Sequence, residues 1–308
     1  MGCIKGDVAV NIIEIFQSFT TQEQAIAHLE KVRWAGSPHC PYCGSVAIGR
    51  HASGDRNASR WQCRDCHRAF AVTVGTLFHG THIPLRNWFL VLALMLTAEK
   101  SASAYQISRD LGMRRATVWS MMHRIRTAMA ADPDQDRLLY GIVEADETYI
   151  GGKPRKGNKR DDDTPNKRGR GTKKVPVIGA VERNGRVVAR VANPGDLSGK
   201  GIQRFISRFV DKAGTILITD EYRGYNRVGA EMQHAVICHA EEYAYGPVHT
   251  NSIESFWAIV KRAWYGSHHH YSRKYMPLYI AEACYKYNRR RSQSAFNDSM
   301  RMFVGAIA

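Results

Sequence analysis

Leu139-Tyr140-Gly141-Ile142-Val143-Glu144-Ala145-Asp146 reads as a β-strand that ends on a carboxylate. Downstream, Val175 to Val181 and Arg186 to Val191 form a hairpin around Asn184-Gly185, a dipeptide suited to the left-handed turn between two strands. A helix is expected over about Lys200 to Lys212, a strand over Thr215 to Thr219 and another near Ala235 to Cys238. Two helices, roughly Thr250 to Trp264 and Arg273 to Arg291, then finish the chain.

Three strands, a helix, a strand, a helix-bearing segment and a strand followed by helices is the element order of a ribonuclease-H-like α/β domain. Many mixed domains share that order, so the function must be argued from residues. Asp146 ends the first strand, Asp220 ends Thr215-Ile216-Leu217-Ile218-Thr219, and Glu254 sits early in a helix behind Thr250. Two strands side by side with a helix crossing near them would bring three carboxylates together. Such oxygen ligands suit Mg²⁺ or Mn²⁺, and two metals held there activate a 3′-hydroxyl or water and stabilise the leaving oxygen. Each position has rivals: Glu144 and Glu147 flank Asp146, and Glu221 follows Asp220. By strand alternation Glu144 shares the face of Asp146. A lone Asp at a strand end is more often a turn or cap residue than a ligand. It is the combination, with 33 residues between Asp220 and Glu254, that points to a site.

Upstream, residues 8 to 33 read as helical, with Thr20 and Thr21 before Glu23 and Gln24 as a helix start. Residues 34–80 hold Cys40-x-x-Cys43, nineteen residues, then Cys63-x-x-Cys66, among short strands such as Arg60 to Cys63 and Ala69 to Val74. That spacing is a zinc ribbon: four thiolates close a tetrahedron around Zn²⁺, leaving no position for substrate, so the zinc is structural. His39 and His67 flank a shell already filled and read as phosphate contacts or solvated surface. Residues 84–131 read as helices from Pro84 with a break near Gly112. Ala104 to Gly112 followed by Met113 to Ile125 has the form of a helix-turn-helix, whose second helix would present Arg114, Arg115, Thr117, Trp119, His123 and Arg124 to DNA. The alternative is an ordinary packed helix pair with a basic face. Asp132-Pro133-Asp134 reads as a polar linker into the domain at 138–292.

The chain has 308 residues, enough for two or three domains with their own cores. Its formal charge of +16 favours a polyanionic partner. No apolar run approaches the length of a membrane span. Met1-Gly2-Cys3-Ile4-Lys5-Gly6 lacks a basic-then-apolar signal, and Gly6 breaks the myristoylation pattern, so a cytoplasmic, nucleoid-associated protein is expected. Residues 153–174 carry ten Lys or Arg and three Asp with no apolar periodicity. This basic insertion, with Lys153, Arg155 and Lys156, reads as a DNA clamp beside Asp146, against the plainer reading of a solvated loop. Arg223, His268, His269, His270 and Arg289-Arg290-Arg291 are further phosphate candidates, whereas Trp257 and Trp264 read as core.

Several motifs match together: Trp34 through Cys40-Pro41-Tyr42-Cys43-Gly44, Trp61-Gln62-Cys63-Arg64-Asp65-Cys66, Gly75-Thr76-Leu77-Phe78 and Pro84-Leu85-Arg86-Asn87-Trp88-Phe89. In the second half these continue with Glu144 to Lys153, Thr219 to Tyr225, His249-Thr250-Asn251-Ser252-Ile253-Glu254-Ser255-Phe256-Trp257, and Lys261-Arg262. Over about residues 20 to 292 the chain resembles the bacterial insertion-sequence transposases of the ISXO-two-like type, in the IS-fifteen-ninety-five group. The resemblance implies cut-and-join chemistry on double-stranded DNA, at the terminal repeats of a mobile element and a target, by a homo-oligomer on DNA with divalent metal at Asp146 and Asp220. Members of that group are expected to place Asn or Glu at the third position, and this chain offers both Asn251 and Glu254. Three residues apart on a helix, the two share a face, with Lys261 two turns beyond. Glu254 is favoured because a carboxylate neutralises metal better than an amide; Asn251 is the rival or an auxiliary ligand, and Lys261 suits a phosphate near the scissile bond. Two other functions compete: a non-catalytic zinc-ribbon and helix-turn-helix regulator, which would leave the acidic set unexplained, and a ribonuclease-H-like nuclease that cuts without joining.

Overall fold

The structure is a computed structural model that describes residues 11–51, 60–151, 174–237 and 249–305. The chain divides into two units, one of residues 1–131 with 291–308 and the other of residues 132–290.

In the first unit, the expected helix over 8–33 is two helices, α1 (Ile12–Ser18) and α2 (Gln22–Trp34). The reason is local: Thr21 and Gln24 form a reciprocal capping box, with Thr21 Oγ1 accepting from the Gln24 N–H and Gln24 Oε1 from the Thr21 N–H. Strands β1 (Ile48–Arg50), β2 (Arg60–Cys63) and β3 (Ala69–Ala71) make an antiparallel three-stranded sheet. Helices α3 (Leu85–Thr97), α4 (Ala104–Asp110) and α5 (Arg115–Ala130) follow, so the helical stretch breaks twice: before Ser103, which caps α4, and at Gly112, whose φ of +62° suits glycine. The unit recruits a helix from the far end of the sequence that the periodicity reading stopped short of, α10 (Ala295–Gly305). Its buried Phe296, Met300 and Phe303 form one stripe. Phe296 packs edge-on against Phe89 at 5.9 Å, and Phe303 against Phe78 at 6.4 Å.

The second unit opens on a turn of 3-10 helix, Pro133–Asp136, instead of a linker. Asp132 is buried there, with Arg289 Nη1 2.7 Å from its carboxylate. Strands β4 (Leu139–Ile150), β5 (Val175–Glu182), β6 (Val187–Val191), β7 (Val210–Asp220) and β8 (Gln233–Ile237) form one sheet in the order β6-β5-β4-β7-β8. The β4/β5 and β5/β6 pairs are antiparallel and the β4/β7 and β7/β8 pairs parallel. A three-strand meander extended on one side by two parallel strands is the ribonuclease-H-like arrangement. Asn184, at φ +61°, closes the β5–β6 turn as its dipeptide predicts.

Helix α6 (Gly199–Phe209) stops at Phe209, short of the expected Lys212, because Val210 already pairs with Leu139. Short α7 (Asn226–Gly229), α8 (Asn251–Arg262), a π-helical turn Ala263–Ser267 and α9 (Met276–Asn288) complete the unit. Alternation along β4 sorts the core. Val143 and Ala145 pack with Ile202 and Ile206 of α6, while Ile150 lies on the opposite face with Ile253, Phe256 and Trp257 of α8. Among the described residues no helix is long and apolar enough to cross a membrane.

Candidate active site

Asp146 does not end its strand, as the sequence suggested: β4 continues to Ile150 because Glu147 to Ile150 pair with Ile178 to Val175 of β5. What ends is the parallel ladder on the other side, whose last pair is Glu144 with Ile218. Two residues further along each strand stand Asp146 and Asp220, side by side on the face covered by α8. Asp220 closes β7 as expected, and its Oδ1 accepts from the Tyr222 N–H at 3.1 Å. Burial pushes the Asp146 carboxyl up to about 7, with the charges of Glu147 and Asp220 adding to the effect. A cation would reverse that balance, and the adjacent pair of hard oxygen donors fits a divalent metal.

The rivals separate by face. Glu147 points away from Asp146 to accept from the hydroxyl of the fully buried Tyr225 at 3.2 Å. Burial, then the carboxylates of Glu147, Asp146 and Asp220, hold that phenol protonated well above its ordinary range. Glu221 is exposed. Glu144 is wholly buried and bound by Arg183 Nε at 3.0 Å and Nη2 at 2.9 Å. It also accepts from the Ser252 N–H at 2.7 Å, the Ser252 hydroxyl at 3.0 Å and the Ile253 N–H at 3.1 Å. His249 Nδ1 lies 3.5 Å from the same carboxylate.

Helix α8 carries the remaining candidates. Asn251 is its first residue, Glu254 lies in its first turn and Lys261 in its last, all exposed. Glu254 accepts from Thr250 Oγ1 at 3.2 Å. Among the described residues the carboxylates of Asp146, Asp220 and Glu254 do not form a tight ligand cluster of the kind the ribbon cysteines make. Trp257, read from sequence as core alone, is buried yet donates its indole N–H to Asp146 Oδ2 at 3.0 Å. Gly179, opposite Asp146 on β5, leaves room for that ring; a Cβ there would meet it at 2.7 Å. Gly179→Ala should therefore displace the indole and cost about 1–3 kcal/mol. A lowered unfolding midpoint checks this, and a variant as stable as the parent would show the ring yielding freely.

In the first unit, the sulfurs of Cys40, Cys43, Cys63 and Cys66 all lie within 4.8 Å of one another. The Cys40–Cys66 and Cys43–Cys63 separations are 3.6 Å, close to the roughly 3.8 Å edge of a tetrahedron with about 2.3 Å zinc–sulfur bonds. The tight knuckles are visible: Gly44, at φ +75°, donates to the Cys40 carbonyl, and His67 takes φ +57° after the second pair. The four residues fit a structural zinc ion.

The helix-turn-helix candidates divide. Arg114 and Arg115 are exposed at the start of α5, with Trp119 one turn on. His123 is not presented, contrary to the sequence reading, and Arg124 is only half-buried. His123 is buried, its ring 4.0 Å from that of Trp119. The Arg124 guanidinium is held by the Leu77 and His79 carbonyls and lies over Trp88. Helical spacing identifies a face but cannot reveal that a distant loop covers it. Arg223 is exposed in the turn after Asp220. Arg289 is engaged by Asp132 and stacks on Tyr285, whereas Arg290 is exposed, donating to the Gly185 carbonyl and stacking on Tyr287. Lys153, Arg155 and Lys156 of the basic insertion, and Cys238, lie outside the described residues.

Residues 138–288 match the ISXO2-like transposase domain, and residues 20–69 match the transposase zinc-ribbon domain. The chain belongs to the ISXO2-like transposases. It is 27% identical over 274 residues to a protein in transposable element ISH50 of Halobacterium salinarum, covering 86% of this chain and 90% of that relative. A shorter match, 46% identical over 35 residues, is to the insertion element iso-IS1N protein InsA of Shigella dysenteriae, covering 11% of this chain and 39% of that one. Among solved structures, the Mos1 strand transfer complex aligns at 12% identity and a TM-score of 0.31 over 70% of this chain and 74% of that one. The Mos1 mariner paired end complex with Mn aligns at 14% and 0.31 over 74% and 78%.

Proposed function

We propose that this ISXO2-like transposase binds the terminal repeats of its insertion sequence and carries out metal-dependent strand cleavage and strand transfer at Asp146 and Asp220. The observation that supports this most is the placement of those two carboxylates at adjacent positions on neighbouring strands, on the sheet face where α8, which carries a third, packs against β4. Asp146, Asp220 and Glu254 would hold Mg²⁺ or Mn²⁺. When bound, such a pair of ions lowers the pKa of the attacking hydroxyl and stabilises the leaving oxygen. The chain's own residues do the rest: Trp257 orients the Asp146 carboxylate, the buried ring and strand wall exclude water behind it, and Lys261 meets a phosphate near the scissile bond. The ribbon at 34–80 and the helix-turn-helix at 84–131, with Arg114 and Arg115, read the element ends. Arg223 and the insertion at 153–174 hold the DNA backbone beside the domain at 138–292, and a second copy serves the other end.

The test is incubation with Mg²⁺ and DNA carrying the flanking terminal repeats. Joined products are expected; cleavage without joining would favour the nuclease reading, and binding with neither would favour the regulator. The same assay decides the third ligand. Glu254→Gln should lower joining by about 10²-fold or more, with Asn251→Ala well above it. The reverse order would make Asn251 the ligand.

A further inference from the structure

Two carboxylates on alternate residues of one face of β4 hold α8 in place. Glu144 takes five donors, three of them from Ser252 and Ile253 in the first turn of the helix. Thr250, at the N-cap, makes no side-chain capping bond, so the free N–H groups of that turn are satisfied from a strand 108 and 109 residues earlier in the chain. The buried charge is placed where the helix dipole favours it, and Arg183 completes its neutralisation. The second hold is the indole of Trp257 on Asp146. Glu254 lies between the two holds, two residues after Ser252 and three before Trp257. At a rise of about 1.5 Å per residue the holds are only about 6–8 Å apart along the axis, so the helix is tied to the strand at two points on either side of Glu254.

A buried ion pair needed only for cohesion could be replaced by apolar side chains. Here the acceptors are directed at the backbone of the one turn that carries Asn251 and Glu254, and the indole at one reacting carboxylate. We propose that Glu144 and Trp257 are positioning residues for strand transfer: Glu144 seats the first turn of α8 and Trp257 aims Asp146, and together they set Glu254 against the aspartate pair. This rests on the reading of that pair as the reaction centre.

The experiment compares Trp257→Phe, Glu144→Ala and Glu144→Gln with the parent protein on terminal-repeat DNA. Trp257→Phe keeps an aromatic ring and removes the N–H. Its joining rate at saturating DNA should fall about 10- to 100-fold, the usual effect of losing a partner that orients a metal ligand, with DNA affinity unchanged. Glu144→Ala should lose joining and Glu144→Gln recover most of it, because an amide oxygen still accepts from the helix. If the parent joins strands and Trp257→Phe joins at the same rate, the positioning role is wrong. If the parent joins nothing, the functional reading falls by itself. The geometric claim has its own measurement in ¹⁵N-tryptophan-labelled protein, where the indole resonance missing from Trp257→Phe identifies Trp257. That resonance should move in Asp146→Asn, and a resonance that stays put would overturn the proposal even without activity data or a foldable Glu144→Ala.

Discussion

Asp146→Asn and Asp220→Asn should each abolish strand joining, by about 10³-fold or more, while DNA binding stays near its original affinity. A factor of that size is about 4 kcal/mol of transition-state stabilisation, what losing a charged metal ligand removes. Either variant joining at a tenth of the parent rate would take that residue out of the site. Asp146→Asn carries a second signature without metal. The folded carboxyl titrates near 7 against an ordinary 3.8, so the folded state binds the extra proton between those values. Stability therefore falls as pH rises from about 4 to about 7 and stays low above it, by at most about 4 kcal/mol. The asparagine variant escapes that loss. Its unfolding midpoint should exceed the parent's at pH 8 and converge with it toward pH 4, and a gap independent of pH would contradict the burial argument. Added Mg²⁺ should stabilise the parent at pH 8 more than the variant.

Removing zinc should unfold the ribbon. Coordination by four thiolates contributes about 10–16 kcal/mol in small zinc modules, as much as the net stability of an entire domain. The ribbon sheet has three strands of three or four residues each, too little apolar surface to fold alone. Chelation, or Cys40→Ser with Cys63→Ser, should bring amide exchange over residues 60–71 to unfolded rates while residues 139–150 of β4 keep their protection. Metal analysis should find one zinc per chain, and a ribbon that stays protected without it would show the thiolates dispensable.

Much of this was legible in the sequence where the signal is local. The cysteine spacing, the Thr21 box, the Asn184 turn and the strand preceding Asp146 all act within a few residues. What was hidden depends on partners far along the chain. The extent of β4 is set by β5, since Glu147-Thr148-Tyr149 looks too polar to continue a buried strand. His123 is covered by Trp119 of its own helix, while Arg124 is held by the carbonyls of Leu77 and His79, a distant loop. Trp257 looked like core because its ring is core. The available clues were that a buried indole needs an acceptor, and that Gly179, alone in Val175-Pro176-Val177-Ile178-Gly179-Ala180-Val181, marks a close approach. Helix α10 was legible in principle, with Phe296, Met300 and Phe303 at helical spacing, but it follows a basic run that resembles a chain end.

That last helix matters during synthesis. The first unit needs Phe296, Met300 and Phe303 for its core, yet these residues leave the ribosome only after residues 132–290 have been made. Domains generally fold as they emerge, so here the unit of residues 132–290 can finish before the unit of residues 1–131 and 291–308. A nascent chain that stops short of α10 carries Asp146, Asp220 and Glu254 but lacks Phe296, Met300 and Phe303 of the first unit's core. Completion of the first unit thus depends on translation through α10.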